Sequence, residues 1–218
     1  MYGGARHQLE NSQTDMFILG DIGDYKNVDD LVAISSGAVI GINLGVILSR
    51  FGGVGGYSLN AYFDTFGLEG ILANSSFVVI LFQIVRWFYS TFYAVGRPWS
   101  PFVFVCMLIS AQVIHDLIVY YGMLKSLPSG KNEMIDALKR YAAENGSRAL
   151  TGHVAFLILV AILAMFLKEA SLLFGIILVS VSLYSIPFVL NTAGPKPPPP
   201  PPPPKKEGYE QRIIGPSF

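Results

Sequence analysis

The chain has 218 residues, of which 52% are hydrophobic and only 14% charged, and its 15 Lys and Arg balance its 15 Asp and Glu. A soluble domain usually carries about 25% charged residues. Neutrality excludes a basic nucleic-acid binder, the single Cys106 excludes a disulfide scaffold, and the apolar excess comes in blocks, so a helical integral membrane protein with polar ends is expected.

Residues 1–30 form a polar, acidic segment with six Asp or Glu against Arg6 and Lys26. It does not read as a signal peptide, so the first apolar span is expected to act as its own insertion signal. Crossing the hydrocarbon takes about 20 mostly apolar residues in a closed helical ladder. Five stretches meet that length: 31–48, 71–92, 102–124, 149–167 and 170–190. Together they make an all-α membrane protein with a transmembrane bundle over 31–190 and a proline-rich tail over 191–218.

The first span repeats Gly37, Gly41 and Gly45 along one face, with Ala33 and Ser49 extending the row. Small residues at this spacing let helix backbones approach closely, either within the bundle or between copies of the chain. After Arg50 comes Gly52, Gly53, Gly55 and Gly56, which reads as a plain turn inside a loop over 50–70. The second span ends in Arg86, Trp87, Phe88, Tyr89, Phe92 and Tyr93, with Arg97 and Trp99 beyond. That composition reads most simply as an interfacial belt of aromatics and snorkelling arginines, with a buried, functional Arg86 as the alternative.

The third span starts behind Pro101 and carries His115 and Asp116 near its far end. Folding spans two and three as a hairpin centred near residue 96 or 97 brings Asp116 level with residue 77, beside Asn74, Ser75 and Ser76, and His153 begins span four on the same side. Ionisable residues inside a membrane are functional candidates. This set could hold a proton or a metal, or act as hydrogen-bonded glue between helices; without a second carboxylate or a ligand-spacing motif, glue is the simpler reading.

Between spans three and four, Met134, Ile135, Leu138, Tyr141 and Ala142 recur at helical spacing from Asn132 to Glu144, and Asn145-Gly146 supplies a stop. An amphipathic helix of this kind lies on the membrane surface or docks a partner. Lys168 and Glu169 alone separate spans four and five, which implies an antiparallel hairpin or one long bent helix.

The tail holds Pro197, Pro198, Pro199, Pro200, Pro201, Pro202, Pro203 and Pro204 without a break, then Lys205 and Lys206, then Ile213, Ile214 and Phe218. Polyproline II is expected for the run, roughly 25 Å of stiff spacer, with an apolar hook at its tip for a partner away from the membrane. The alternative is a disordered tail.

With five crossings, Arg50, Lys125, Lys131, Lys139, Arg140, Arg148, Lys196, Lys205, Lys206 and Arg212 fall on one side, and Arg6, Lys26, Arg86, Arg97 and Lys168 on the other. The richer side is expected to be cytosolic. Of the two glycosylation sequons, Asn74 falls within a span and Asn145 on that same cytosolic side, so neither is expected to be used. There is no phosphate loop, HExxH, cysteine pair or nucleophile elbow, so a non-enzymatic role without a cofactor is expected.

From Pro101 to Leu190 the chain resembles membrane proteins encoded by large nucleocytoplasmic DNA viruses of the phycodnavirus and chlorovirus type. The residues that carry this are His115-Asp116-Leu117-Ile118-Val119-Tyr120-Tyr121-Gly122-Met123, Asn132-Glu133-Met134-Ile135-Asp136 and Ala143-Glu144-Asn145-Gly146. The resemblance implies a minor capsid protein anchored in the internal virion membrane, a membrane taken from the host, with the basic loop and proline tail facing the capsid and its minor proteins. Lipid would be its other partner, and no nucleic acid would be bound. Two further readings stay open: a small channel or transporter built on the polar cluster and the glycine seam, and a cellular membrane adaptor whose tail recruits a proline-binding module.

Overall fold

A computed structural model describes residues 19–194, and among these the regular structure is entirely helical. Residues 1–18 and the tail from 195, including the proline run, Ile213, Ile214 and Phe218, lie outside the described residues. The helices are α1 (Asp29–Gly52), α2 (Gly56–Phe88), α3 (Pro101–Val119), α4 (Glu133–Asn145), α5 (Ser147–Glu169) and α6 (Leu172–Leu190). π-helical turns at Tyr89–Tyr93 and Tyr120–Leu124 continue α2 and α3. Five helices, all but α4, are long and apolar enough to cross a membrane, which makes this an integral membrane protein.

Local chemistry sets the boundaries. Pro101 sits in the first turn of α3, and the Ser100 hydroxyl accepts the Val103 amide at 3.4 Å. Asn132 caps α4 through the Ile135 amide at 3.0 Å, and Gly146, at φ 53°, ends it. Between α5 and α6 the backbone of Ala170 and Ser171 is extended, and the Ser171 hydroxyl caps α6 through Phe174 at 3.3 Å. The joint is therefore a clean break between two helices.

The expected loop over 50–70 is largely helical. α1 closes at Gly53 in the left-handed region, and α2 begins three residues later at Gly56. With its π-turn α2 runs 38 residues, about 57 Å at 1.5 Å per residue, nearly twice the roughly 30 Å of hydrocarbon. Gly67 resolves the mismatch by bending the helix, since its φ of 47° and ψ of −123° suit glycine alone.

α1 is the most enclosed helix and packs against α2, α5 and α6. α5 runs antiparallel to α1 and α6 parallel to it. The contacts that set this are Lys168 of α5 on Asp30 at the start of α1, Ser182 of α6 on Asn43, and the end of α6 on Arg50. The face where α1 begins is called the near face below, and the opposite one the far face. Ile34, Ala38, Phe82, Phe104, Leu108 and Val160 form the centre of the larger core, which is closed on the near face by Ile22. A second core of Ile42, Val46, Phe63, Ile71 and Ile186 lies toward the far face and includes Ala137 of α4.

α4 docks on its own chain. Ile135 and Ala137 are buried, and the Glu144 carboxylate accepts the amides of Tyr57 at 2.9 Å and Ser58 at 2.7 Å, capping α2 from another element. Burial pushes the Glu144 carboxyl up, but hydrogen bonds from Ser58 and Tyr57 outweigh it and hold its pKa below the ordinary carboxylate value. A pKa lowered by folding stabilises the fold above the unfolded carboxylate value of about 4.3, and that stabilisation is lost as pH falls through the folded value. Glu144→Gln is expected to cost about 0.5–1 kcal/mol at pH 7, the lower part of the capping range because the site is exposed. The difference from wild type should vanish in acid. Hydrogen exchange at Tyr57 and Ser58 checks this, and equal protection in both proteins at pH 7 would refute it.

Candidate functional site

Polar side chains join the helices of the bundle in a buried cluster toward the near face and a half-buried one toward the far face. On the near face, Arg86 of α2 and Asp30 of α1 are wholly buried, with guanidinium Nη2 2.9 Å from the carboxylate. Lys168 of α5 reaches the other carboxylate oxygen at 2.6 Å. The guanidinium also donates to the carbonyls of Asp24 and of Asn27 and to the Gln83 side chain. One carboxylate thus joins three helices, and Arg86 ties residues 19–28 across the near face. That strap is fixed further by Trp99 Nε1 on the Leu19 carbonyl at 3.1 Å and by the Ser90 hydroxyl on the Gly23 carbonyl at 2.7 Å.

The interfacial-belt reading of Arg86 is therefore corrected. The guanidinium points inward because Asp30 supplies a charge to meet it, so snorkelling to water is not its lowest-energy option. The aromatics divide around it. Trp87, Phe88 and Phe92 are exposed, while Tyr89 is buried against Trp99 and Phe104, with ring centroids at 5.2 and 5.6 Å.

Toward the far face, Asp116 of α3 sits between two imidazoles. His153 Nδ1 of α5 is 3.0 Å from one carboxylate oxygen and His115 Nδ1 3.3 Å from the other. Gln112 donates to the same carboxylate at 2.7 Å. The His115 ring packs on Phe77 at 4.2 Å, and Tyr141 of α4 stacks on His153 at 5.9 Å. With both Nδ1 atoms protonated, each imidazole donates to Asp116, and the carboxylate bridges α3 to α5.

Of the residues expected here, His115, Asp116 and His153 come together. The hairpin register places residue 77 beside His115, but Asn74 turns away to donate to the Gly70 carbonyl at 2.8 Å and to the Tyr62 hydroxyl at 3.5 Å. The Ser75 hydroxyl is buried without a hydrogen-bond partner, and among the described residues no hydrogen bond joins Ser76 to the cluster. Gln112 and Tyr141 belong to the site and were missed; Gln112 stands four residues before Asp116, one helical turn away, which was the available signal. Among the described residues no set of His, Cys, Asp and Glu is arranged to hold a metal ion.

Gly37 and Gly41 face α5, where a Cβ on Gly37 would lie 3.1 Å from the Ala164 nitrogen and one on Gly41 2.7 Å from a Val160 methyl. Gly45 faces open space, with nothing within 4 Å of an added Cβ. A third polar contact, unread in the sequence, joins α1 to α6: Asn43 Nδ2 donates to the Ser182 carbonyl at 3.2 Å and the Ser185 hydroxyl at 2.6 Å.

At the far end of α1, Arg50 is buried and binds Asp64 at 2.6 Å, the Asn60 side chain at 3.2 Å and the Leu190 carbonyl at 3.1 Å. This clamp joins α1, α2 and the last residue of α6, where the tail begins. No protein-family model, no curated protein and no solved structure matches the chain.

Proposed function

We propose that this protein is a non-enzymatic membrane anchor whose bundle holds the root of the proline tail at one membrane face. The tail then engages a protein layer beside the membrane. In the terms of the viral resemblance, that layer is a capsid with its minor proteins, lying over an internal virion membrane derived from the host. The far face would be the one that meets it.

The observation that carries this reading is the Arg50 clamp. A tail under load needs a root that does not fray, and Arg50 pins the last carbonyl of α6 to α1 and α2. α4 offers less to a partner than its amphipathic pattern implies, because Ile135 and Ala137 are buried against its own chain. The tail is therefore the element left to reach outward.

The test is fractionation of purified particles, with protease applied to the tail before and after the shell is stripped. A tail shielded by the intact shell and cut once the shell is removed, with the membrane still whole, is the expected result. Absence of the protein from particles would overturn the capsid reading.

A second reading, a proton-conducting channel or transporter, is favoured by one feature, the Asp116 carboxylate between two imidazoles inside a span. It requires that reconstituted vesicles pass protons and that Asp116→Asn stops the flux. Inert vesicles would remove it.

A further inference from the structure

The face of α6 turned away from the bundle carries polar groups that lipid does not satisfy. Ser182 and Ile186 are the buried residues of this helix. Tyr184 lies two residues from each, about 200° around the helix, so it points directly away from the seam; it is 73% exposed. Its ring touches Phe188 at 5.2 Å, while its hydroxyl and that of Ser180 have no hydrogen-bond partner among the described residues.

Depth makes this unusual. Tyr184 stands six residues before the end of the 19-residue α6, about 9 Å in from the far face. Helical side chains lean toward the N-terminus of their helix, so the phenol leans away from the nearer surface, toward the bilayer centre and over the turn that holds Ser180. Hydrocarbon offers neither hydroxyl a partner, and transmembrane helices gain from pairing such groups with each other.

We propose that this face of α6 binds a second copy of the chain. The argument for a copy is self-complementarity. About a two-fold axis along the membrane normal, two α6 helices run parallel at equal depth. Each Tyr184 then leans to the level of Ser180 on the second copy, so one donor and one acceptor per chain form two reciprocal bonds. Ser180 is small enough for close approach, and Ile176, Ile177 and Leu183, all exposed, flank the pair with packing surface. The glycine face of α1 does not compete, because α5 covers Gly37 and Gly41.

The test uses the full chain in phosphatidylcholine vesicles at graded protein-to-lipid ratios, with energy transfer between labelled copies as the readout. Transfer should rise with protein density, and Tyr184→Phe with Ser180→Ala should weaken association about tenfold, as expected for two interhelical hydrogen bonds, without lowering the unfolding temperature. Oxidation should link copies through Ile177→Cys made in a Cys106→Ala background, while the exposed Cys106 of α3 in the wild-type chain should stay unlinked. Four results would each overturn the proposal: no transfer at any density, linking through Cys106, an unchanged double variant, or Ile177→Cys linking only to another protein in native membranes.

Discussion

Asp30→Ala is expected to be the most destabilising single substitution in the described chain, at about 3–5 kcal/mol. It removes the one carboxylate shared by Arg86 and Lys168 and leaves a wholly buried guanidinium facing an ammonium. Desolvating two charges costs several kcal/mol each, and only their mutual attraction and hydrogen bonds offset that cost. Removing one partner therefore loses the attraction and keeps the cost. Lys168 has a route to water, since its side chain is 26% exposed, whereas Arg86 has none. Adding Arg86→Met to Asp30→Ala should thus recover half of the loss or more, because the stranded charge goes with it. The measurement is unfolding of the purified protein in detergent micelles for both single variants and the double variant. A cost under about 1 kcal/mol for Asp30→Ala, or strictly additive costs in the double variant, would sink the account. Proteolysis within residues 19–28 gives a second readout, because the strap is held by the same guanidinium.

How much of this was legible in the sequence follows from the range of the interactions involved. Spans and their order depend on local hydropathy, and α1, α3, α5 and α6 extend to within a few residues of the stretches read for them. The α4 helix was legible for the same reason, since Asn132 and Gly146 flank a local period. The first half of α2 was not. Its Ser58, Asn60, Asp64 and Thr65 read as loop, and what makes it helical comes from elsewhere: the Glu144 cap and the Asn60 amide on the Ser49 carbonyl at 3.1 Å. Arg86 fails in the same way. Its neighbours in sequence are aromatic and belt-like, and its decisive partner stands 56 residues away. The Asp116 cluster lies between these cases: hairpin register found its level, but the direction in which Asn74 and Ser75 turn is set by packing.

The glycine row separates a seam inside one bundle from a seam between copies. Gly37→Leu is expected to cost about 3 kcal/mol, because the added side chain meets the α5 backbone, the Ala164 nitrogen at 3.1 Å and the Val160 carbonyl at 3.2 Å, which cannot turn aside. α1 would have to move off α5 and pull the core around Ala38 and Ala161 with it. Gly41→Leu should cost less, since its nearest obstacle is a Val160 methyl that shifts with its side chain. Gly45→Leu has open space and gains helix propensity, about 0.5–1 kcal/mol, so it should be neutral or stabilising. The graded order 37, 41, 45 is the signature of contact with α5 alone. Were the row an interface between copies, Gly45→Leu would weaken association as Gly37→Leu does, and the monomer would keep its stability in all three. Micelle unfolding and vesicle energy transfer, measured on the same three variants, therefore decide between the two, and a flat stability profile with lost association would move the copy-binding face from α6 to α1.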